Sequence, residues 1–97
     1  MNQPTSNAML FPLGDLVATP GALSVLEKNG VVPMRLISRH MEGDWGDVPP
    51  DDVVANTDAL RIHARLLSSY AFPDGARIWI ITEADRSATT LLLPEEY

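Results

Sequence analysis

Leu66-Leu67-Ser68-Ser69-Tyr70-Ala71-Phe72-Pro73-Asp74-Gly75-Ala76-Arg77-Ile78-Trp79-Ile80-Ile81-Thr82 is the stretch from which the fold is read. Leu66 to Phe72 alternates as a strand does, and Pro73-Asp74-Gly75 sets a proline with its fixed φ beside residues that tolerate a tight reversal. Ile78 to Thr82 is β-branched and aromatic, with apolar side chains at both parities. That pattern predicts a strand covered on both faces, the central one of its sheet. Glu83-Ala84-Asp85-Arg86-Ser87 supplies a second turn, and Ala88 to Leu93 returns as a third strand before Pro94. An antiparallel meander over 66–93 is therefore expected.

Towards the amino terminus the pattern changes to helical. Thr19 suits an N-cap and Pro20 a first helical position, with Leu23, Val25 and Leu26 as the inner face and Asn29-Gly30 as the stop, which predicts a helix over 20–29. Pro33 opens a second helix in which Met34, Ile37 and Met41 recur at spacings of three and four beside Leu36 and His40. Gly43 closes it. Asp51 and Asp52 favour the start of a third helix over 51–63, with Val53, Val54, Thr57 and Leu60 as its inner stripe. Leu13 to Ala18 is short and apolar enough to be a strand. The expected fold is α+β: two or three short N-terminal helices packed on a small C-terminal antiparallel β-meander, one domain over 9–97. Residues 1–8 read as a disordered or tag-like terminus, since Ser6-Asn7-Ala8-Met9 has the look of a cleavage scar.

Composition narrows the function classes. Thirteen acidic against seven basic residues leave a formal charge of −6. Phosphate neutralisation needs surplus Lys and Arg, so direct nucleic-acid binding is not expected. Two short helices across Asn29-Gly30-Val31-Val32-Pro33 have the outline of a helix-turn-helix, but the second offers only two arginines. There is no cysteine, which excludes disulfides, thiolate catalysis and cysteine-held metals. No segment carries the roughly 20 apolar residues that span a bilayer, and the first residues lack the basic and apolar regions of a secretory signal. The reading is a cytoplasmic protein without membrane contact.

Two constellations are candidate sites. Arg39, His40, Asp44, Trp45 and Asp47 converge in sequence on one turn-rich loop. An indole there either plugs the core or anchors a partner. A histidine with carboxylates has the chemistry of a cation site, but this spacing matches no known ligand pattern, so no metal and no other cofactor is expected. Alternatively His40 caps the second helix and the aspartates satisfy local backbone donors. The other constellation, His63, Glu83 and Arg86, would suit a small metal-independent ribonuclease or toxin. There a base takes the 2′-OH proton and a guanidinium stabilises the phosphorane.

From Leu13 onward the order of several runs carries a resemblance. Leu16-Val17-Ala18-Thr19-Pro20-Gly21-Ala22-Leu23 is followed by Arg39-His40 and Gly43-Asp44-Trp45-Gly46-Asp47. Then come Trp79-Ile80-Ile81-Thr82-Glu83-Ala84-Asp85-Arg86-Ser87 and Thr89-Thr90-Leu91-Leu92-Leu93-Pro94-Glu95-Glu96-Tyr97. The chain resembles a family of small bacterial "plasmid-related" proteins of plasmids and integrative elements, sometimes labelled type I restriction endonuclease subunit M. Methylation itself needs a glycine-rich cofactor turn and an Asn/Asp-Pro-Pro-aromatic site for a flipped base. This sequence has neither. The resemblance implies an accessory or interaction protein of a mobile element, non-catalytic and acting through a protein partner, with a homodimer among the options.

Overall fold

The computed structural model describes residues 9–97; the expected tag-like stretch 1–8 lies outside them. Its elements run β1 (Asp15–Ala18), α1 (Pro20–Lys28), α2 (Pro33–Met41), α3 (Pro50–Ile62), β2 (Leu66–Ala71), β3 (Arg77–Thr82) and β4 (Ala88–Leu92), then a 3₁₀ turn at Pro94–Glu96. The class is α+β, but the sheet is not the simple antiparallel meander expected from the sequence. It has four strands in the order β1-β4-β3-β2, and β1 lies parallel to β4 with Asp15 opposite Ala88 and Ala18 opposite Leu91. The remaining pairs are antiparallel. The physical reason is connectivity. Three helices separate β1 from the hairpin, giving the chain the long crossover that a parallel pairing requires.

The helix starts follow local chemistry. The Thr19 hydroxyl accepts from the Ala22 N–H at 3.0 Å while Pro20 fills the first turn. The same hydroxyl donates to Glu96 Oε1 at 2.7 Å, fastening α1 to the C-terminal turn. At the other end the Asn29 amide donates to the Val25 carbonyl. α2 and α3 both begin at a proline.

The inner faces differ in detail from the apolar periodicity. In α1, Ala22 and Leu26 are buried while Leu23 is exposed; in α2, Leu36, Ile37 and His40 point inward while Met34 is exposed. In α3 the expected stripe is inward only at Leu60, which packs half-buried on the core: Val53, Val54 and Thr57 are exposed, and Asn56 and Ala59 are buried. One core cluster joins Ala22, Leu26, Leu36 and Ile37 to Tyr70, Ile78, Ile80 and Leu91. A second joins Phe11, Trp45, Ala59 and Leu66. Among the described residues no helix is long and apolar enough to cross a membrane.

Asn56 rotates α3 because its amide behaves as a short strand. Its Nδ2 donates to the Leu67 carbonyl at 2.7 Å and its Oδ1 accepts from the Leu67 N–H at 3.1 Å. Two residues along the same edge, the Ser69 N–H donates to the Trp45 carbonyl at 2.9 Å, and the Asp47 N–H donates to the Ser69 carbonyl at 2.6 Å. The outer edge of β2 is thus closed by side chain and loop, one of the ways in which exposed sheet edges are managed. Asn56→Ala should cost about 1–2 kcal/mol. It should also selectively raise the hydrogen-exchange rate of the Leu67 amide, which native-state exchange would read.

Candidate functional site

Of the residues singled out in the sequence, His40 is the deepest. It does not cap α2. Its ring enters the space above the sheet, edge-on to both Phe11 and Trp45 at 5.2 and 5.7 Å between centroids. Nδ1 lies 2.6 Å from Ser68 Oγ and Nε2 2.9 Å from Thr82 Oγ1. Thr82 Oγ1 in turn lies 2.7 Å from Thr89 Oγ1, and Thr89 donates to the Leu13 carbonyl at 2.7 Å.

A carbonyl only accepts, so this last bond fixes the protons back to His40 Nε2. Thr89 spends its hydrogen on Leu13, and Thr82 must therefore donate to Thr89. His40 must then donate from Nε2 to Thr82, and with the buried ring neutral its Nδ1 accepts from Ser68. The imidazole is neutral with its hydrogen on Nε2, and burial holds its pKa down at about 4. The line is complete within the core and leaves no proton for a substrate. It is structural.

Arg39, Asp44, Trp45 and Asp47 do meet, around the loop that closes β2. Arg39 Nε bonds Asp44 Oδ2 at 2.7 Å, and its guanidinium sits 4.5 Å from the Tyr70 ring centroid. The Tyr70 hydroxyl donates to the Asp44 carbonyl at 2.6 Å, and Asp44 Oδ1 accepts the Gly46 N–H at 3.2 Å. The Arg39 hydrogen bond holds the Asp44 carboxyl below its ordinary pKa, while burial pushes the Tyr70 phenol up to about 12. Trp45 is buried and stacks on Phe11 at 6.4 Å. Gly46 carries φ +73, and a side chain there would strike the Ser69 carbonyl, so the loop lies against β2 only because this residue is glycine. Among the described residues, no three of His, Asp and Glu converge as a cation cage.

His63, Glu83 and Arg86 share a corner, but not a vacant spot. His63 takes the left-handed conformation that ends α3, with φ 58, and its side chain is exposed, as is that of Glu83. Arg86 is buried. Its Nη1 donates to the carbonyls of Ala64, Glu83 and Ala84 at 2.6, 3.1 and 3.2 Å, and Nη2 to that of Ala59 at 2.9 Å. The guanidinium binds the C-terminal end of α3 to the β3–β4 turn. Stabilising a phosphoryl oxygen would require it to abandon those carbonyls.

The open surface lies at the opposite edge of the sheet. β1 is the terminal strand, and Asp15, Leu16 and Val17 are exposed. The N–H groups of Asp15 and Thr19 bond the carbonyls of Ser87 and Leu91. By the alternation of a parallel ladder, the N–H and C=O of Leu16 and Ala18 point away from β4. Beside them a groove of about 210 Å³ runs between Leu16, Val17 and Ala18 of β1 and Pro33, Met34 and Ile37 of α2. No ionisable side chain lines it. The exposed Leu16, Val17, Met34 and Val32 make this flank the apolar counterpart of the closed β2 edge. Apolar periodicity missed it because it reads every such residue as core. The detectable signal is Leu16-Val17-Ala18, apolar on both faces in a strand too short to lie in the middle of a sheet.

The chain matches no protein-family model, no curated protein and no solved structure.

Proposed function

We propose that this chain is a non-catalytic accessory protein that works through protein contacts made along β1. The observation that carries this reading is the contrast between the two sheet edges. Asn56, Trp45 and Asp47 occupy the backbone of β2, whereas β1 presents outward backbone groups that bond none of the described residues, beside a groove lined by uncharged side chains. An extended segment added to such an edge gains main-chain hydrogen bonds from the strand and side-chain specificity from the groove. The candidate polar groups elsewhere are already spent on the fold: His40 on the hydroxyls of Ser68 and Thr82, Arg86 on backbone carbonyls, Arg39 on Asp44 and Tyr70.

The ordered resemblance from Leu16 to Tyr97 supports a setting on a plasmid or integrative element, with the protein acting in the bacterial cytoplasm. A photo-crosslinking amino acid at Val17, introduced in a bacterium carrying the gene, should give a discrete adduct. The same group at Val54, exposed on the outer side of α3, should give none. Absence of any adduct from Val17 would remove the reading.

A further inference from the structure

We infer that β1 docks a second copy of this chain, antiparallel, about a two-fold axis passing through Val17. The inference rests on β1 as the docking edge and adds the occupant, the register and the symmetry. Leu16 and Ala18 are the residues of β1 whose backbone groups face outward. An antiparallel ladder that uses both must set Leu16 against the partner's Ala18 and Ala18 against the partner's Leu16. Four main-chain hydrogen bonds form, and Val17 faces its own copy across the axis as a close, non-hydrogen-bonded pair.

A register centred on Leu16 would use only that residue's own donor and acceptor. The next outward position would be Gly14, which has left the extended conformation with φ +66. The register centred on Val17 is therefore the one that the short strand can complete.

Charge selects the same arrangement. A chain of formal charge −6 repels its copy over most approaches. This flank avoids that repulsion at its centre, because the residues lining its groove carry no charge. Asp15, the one carboxylate on β1, falls opposite the partner's Thr19. The two Asp15 residues are then offset by four positions, about 14 Å along the strands, beyond the Debye length of about 8 Å at physiological salt. Alternation puts Leu16 and Ala18 on the sheet face that carries the helices. The two-fold axis then sets both apolar grooves on one side of a continuous eight-stranded sheet. A two-fold interface of this kind is self-complementary and closes on itself, so it ends at a dimer and builds no fibre.

The test exploits the residue on the axis. Val17 is 47% exposed, so Val17→Lys and Val17→Glu leave the core untouched, which unchanged circular dichroism and thermal melting would verify. Sedimentation of the full chain should show a dimer for the unsubstituted protein. Each charged variant alone should lose it, because like charges meet across the axis. An equimolar mixture of the two should regain a dimer containing one of each. Val54→Lys should leave the dimer intact. A monomeric unsubstituted protein, or a dimer that survives Val17→Lys, would overturn the inference. If the purified protein is monomeric while Val17 crosslinks to a different protein in cells, β1 remains a docking edge and only self-pairing falls. If Val17 crosslinks to nothing, the docking edge falls with it.

Discussion

Arg86→Ala is expected to lower the stability of this protein by about 3–5 kcal/mol, because it strips a buried donor from four carbonyls at once. Among the described residues the guanidinium has no carboxylate partner. Its charge is balanced by the carbonyls of Ala59, Ala64, Glu83 and Ala84, with the Phe11 ring centroid 5.8 Å away. Two of those carbonyls lie at or just beyond the last turn of α3, where the helix dipole favours a cation. Lysine would keep the charge but lose the planar fork, so Arg86→Lys should recover only a small part of the loss.

Backbone and side-chain contributions separate at this residue, since Arg86 sits at φ 62. Arg86→Gly should be less damaging than Arg86→Ala by about 1 kcal/mol, as glycine adopts this conformation freely. Both should remain far below the unsubstituted protein. Urea unfolding followed by circular dichroism would measure the series. An Arg86→Ala midpoint close to that of the parent would mean that the guanidinium does not tie α3 to the turn.

His40 gives the second large effect, in stability and in its dependence on pH. His40→Ala should cost about 3–4 kcal/mol, since it opens a cavity between Phe11 and Trp45 and orphans the hydroxyls of Ser68 and Thr82. The pH effect has a definite sign. The folded imidazole has a pKa of about 4, against 6.5 for a free one. Between these values the unfolded chain binds the extra proton, so stability is complete above roughly pH 6.5 and declines as the pH falls towards 4. The decline should reach about 2–3 kcal/mol.

Asp44, Asp85 and Glu96 are also held low, by Arg39, Ser87 and Thr19 respectively, but their contributions are lost only within and below the ordinary carboxylate range. The interval from pH 5 to 6.5 therefore isolates the imidazole. His40→Leu should flatten the stability profile there. A parent profile already flat across that interval would contradict the neutral, Nε2-protonated assignment.

Local chemistry made the helices and the hairpin legible. Thr19-Pro20, Pro33 and Pro50 mark helix starts by capping or by fixed φ, Pro73-Asp74-Gly75 marks the reversal, and Ile78 to Thr82 marks the strand between β2 and β4. The parallel pairing of β1 with β4 has no such mark, because no tight turn joins the two strands and their register is set only after the helices are in place. In α3 the apolar stripe misled in part: Asn56 takes the inward position, where its amide bonds the Leu67 backbone, Val53 and Val54 are left exposed, and of the stripe Leu60 packs against the core.

The polar core was half visible. Ser68, Thr82 and Thr89 occupy inward strand positions, and His40 follows Leu36 and Ile37 at helical spacing. A line of hydroxyls meeting a histidine could have been suspected from that coincidence, though the proton order depends on the Leu13 carbonyl, which no spacing discloses. Arg86 read as part of a polar turn or as the guanidinium of a ribonuclease site, not as a tie between α3 and that turn. The omitted clue was that α3 ends at Ile62-His63 without a glycine, leaving its last carbonyls in search of a donor.

The parallel ladder between β1 and β4 has a consequence for biosynthesis. Thr89 reaches the Leu13 carbonyl across 76 positions of sequence, so the first strand to leave the ribosome waits for the last before it has any neighbour in the sheet. Throughout that interval Leu16 and Val17 are bare on both sides of their strand, and the helices must fold above a sheet that is still incomplete. Closure thus follows the synthesis of β4, and the strand made first is the one that completes the sheet last.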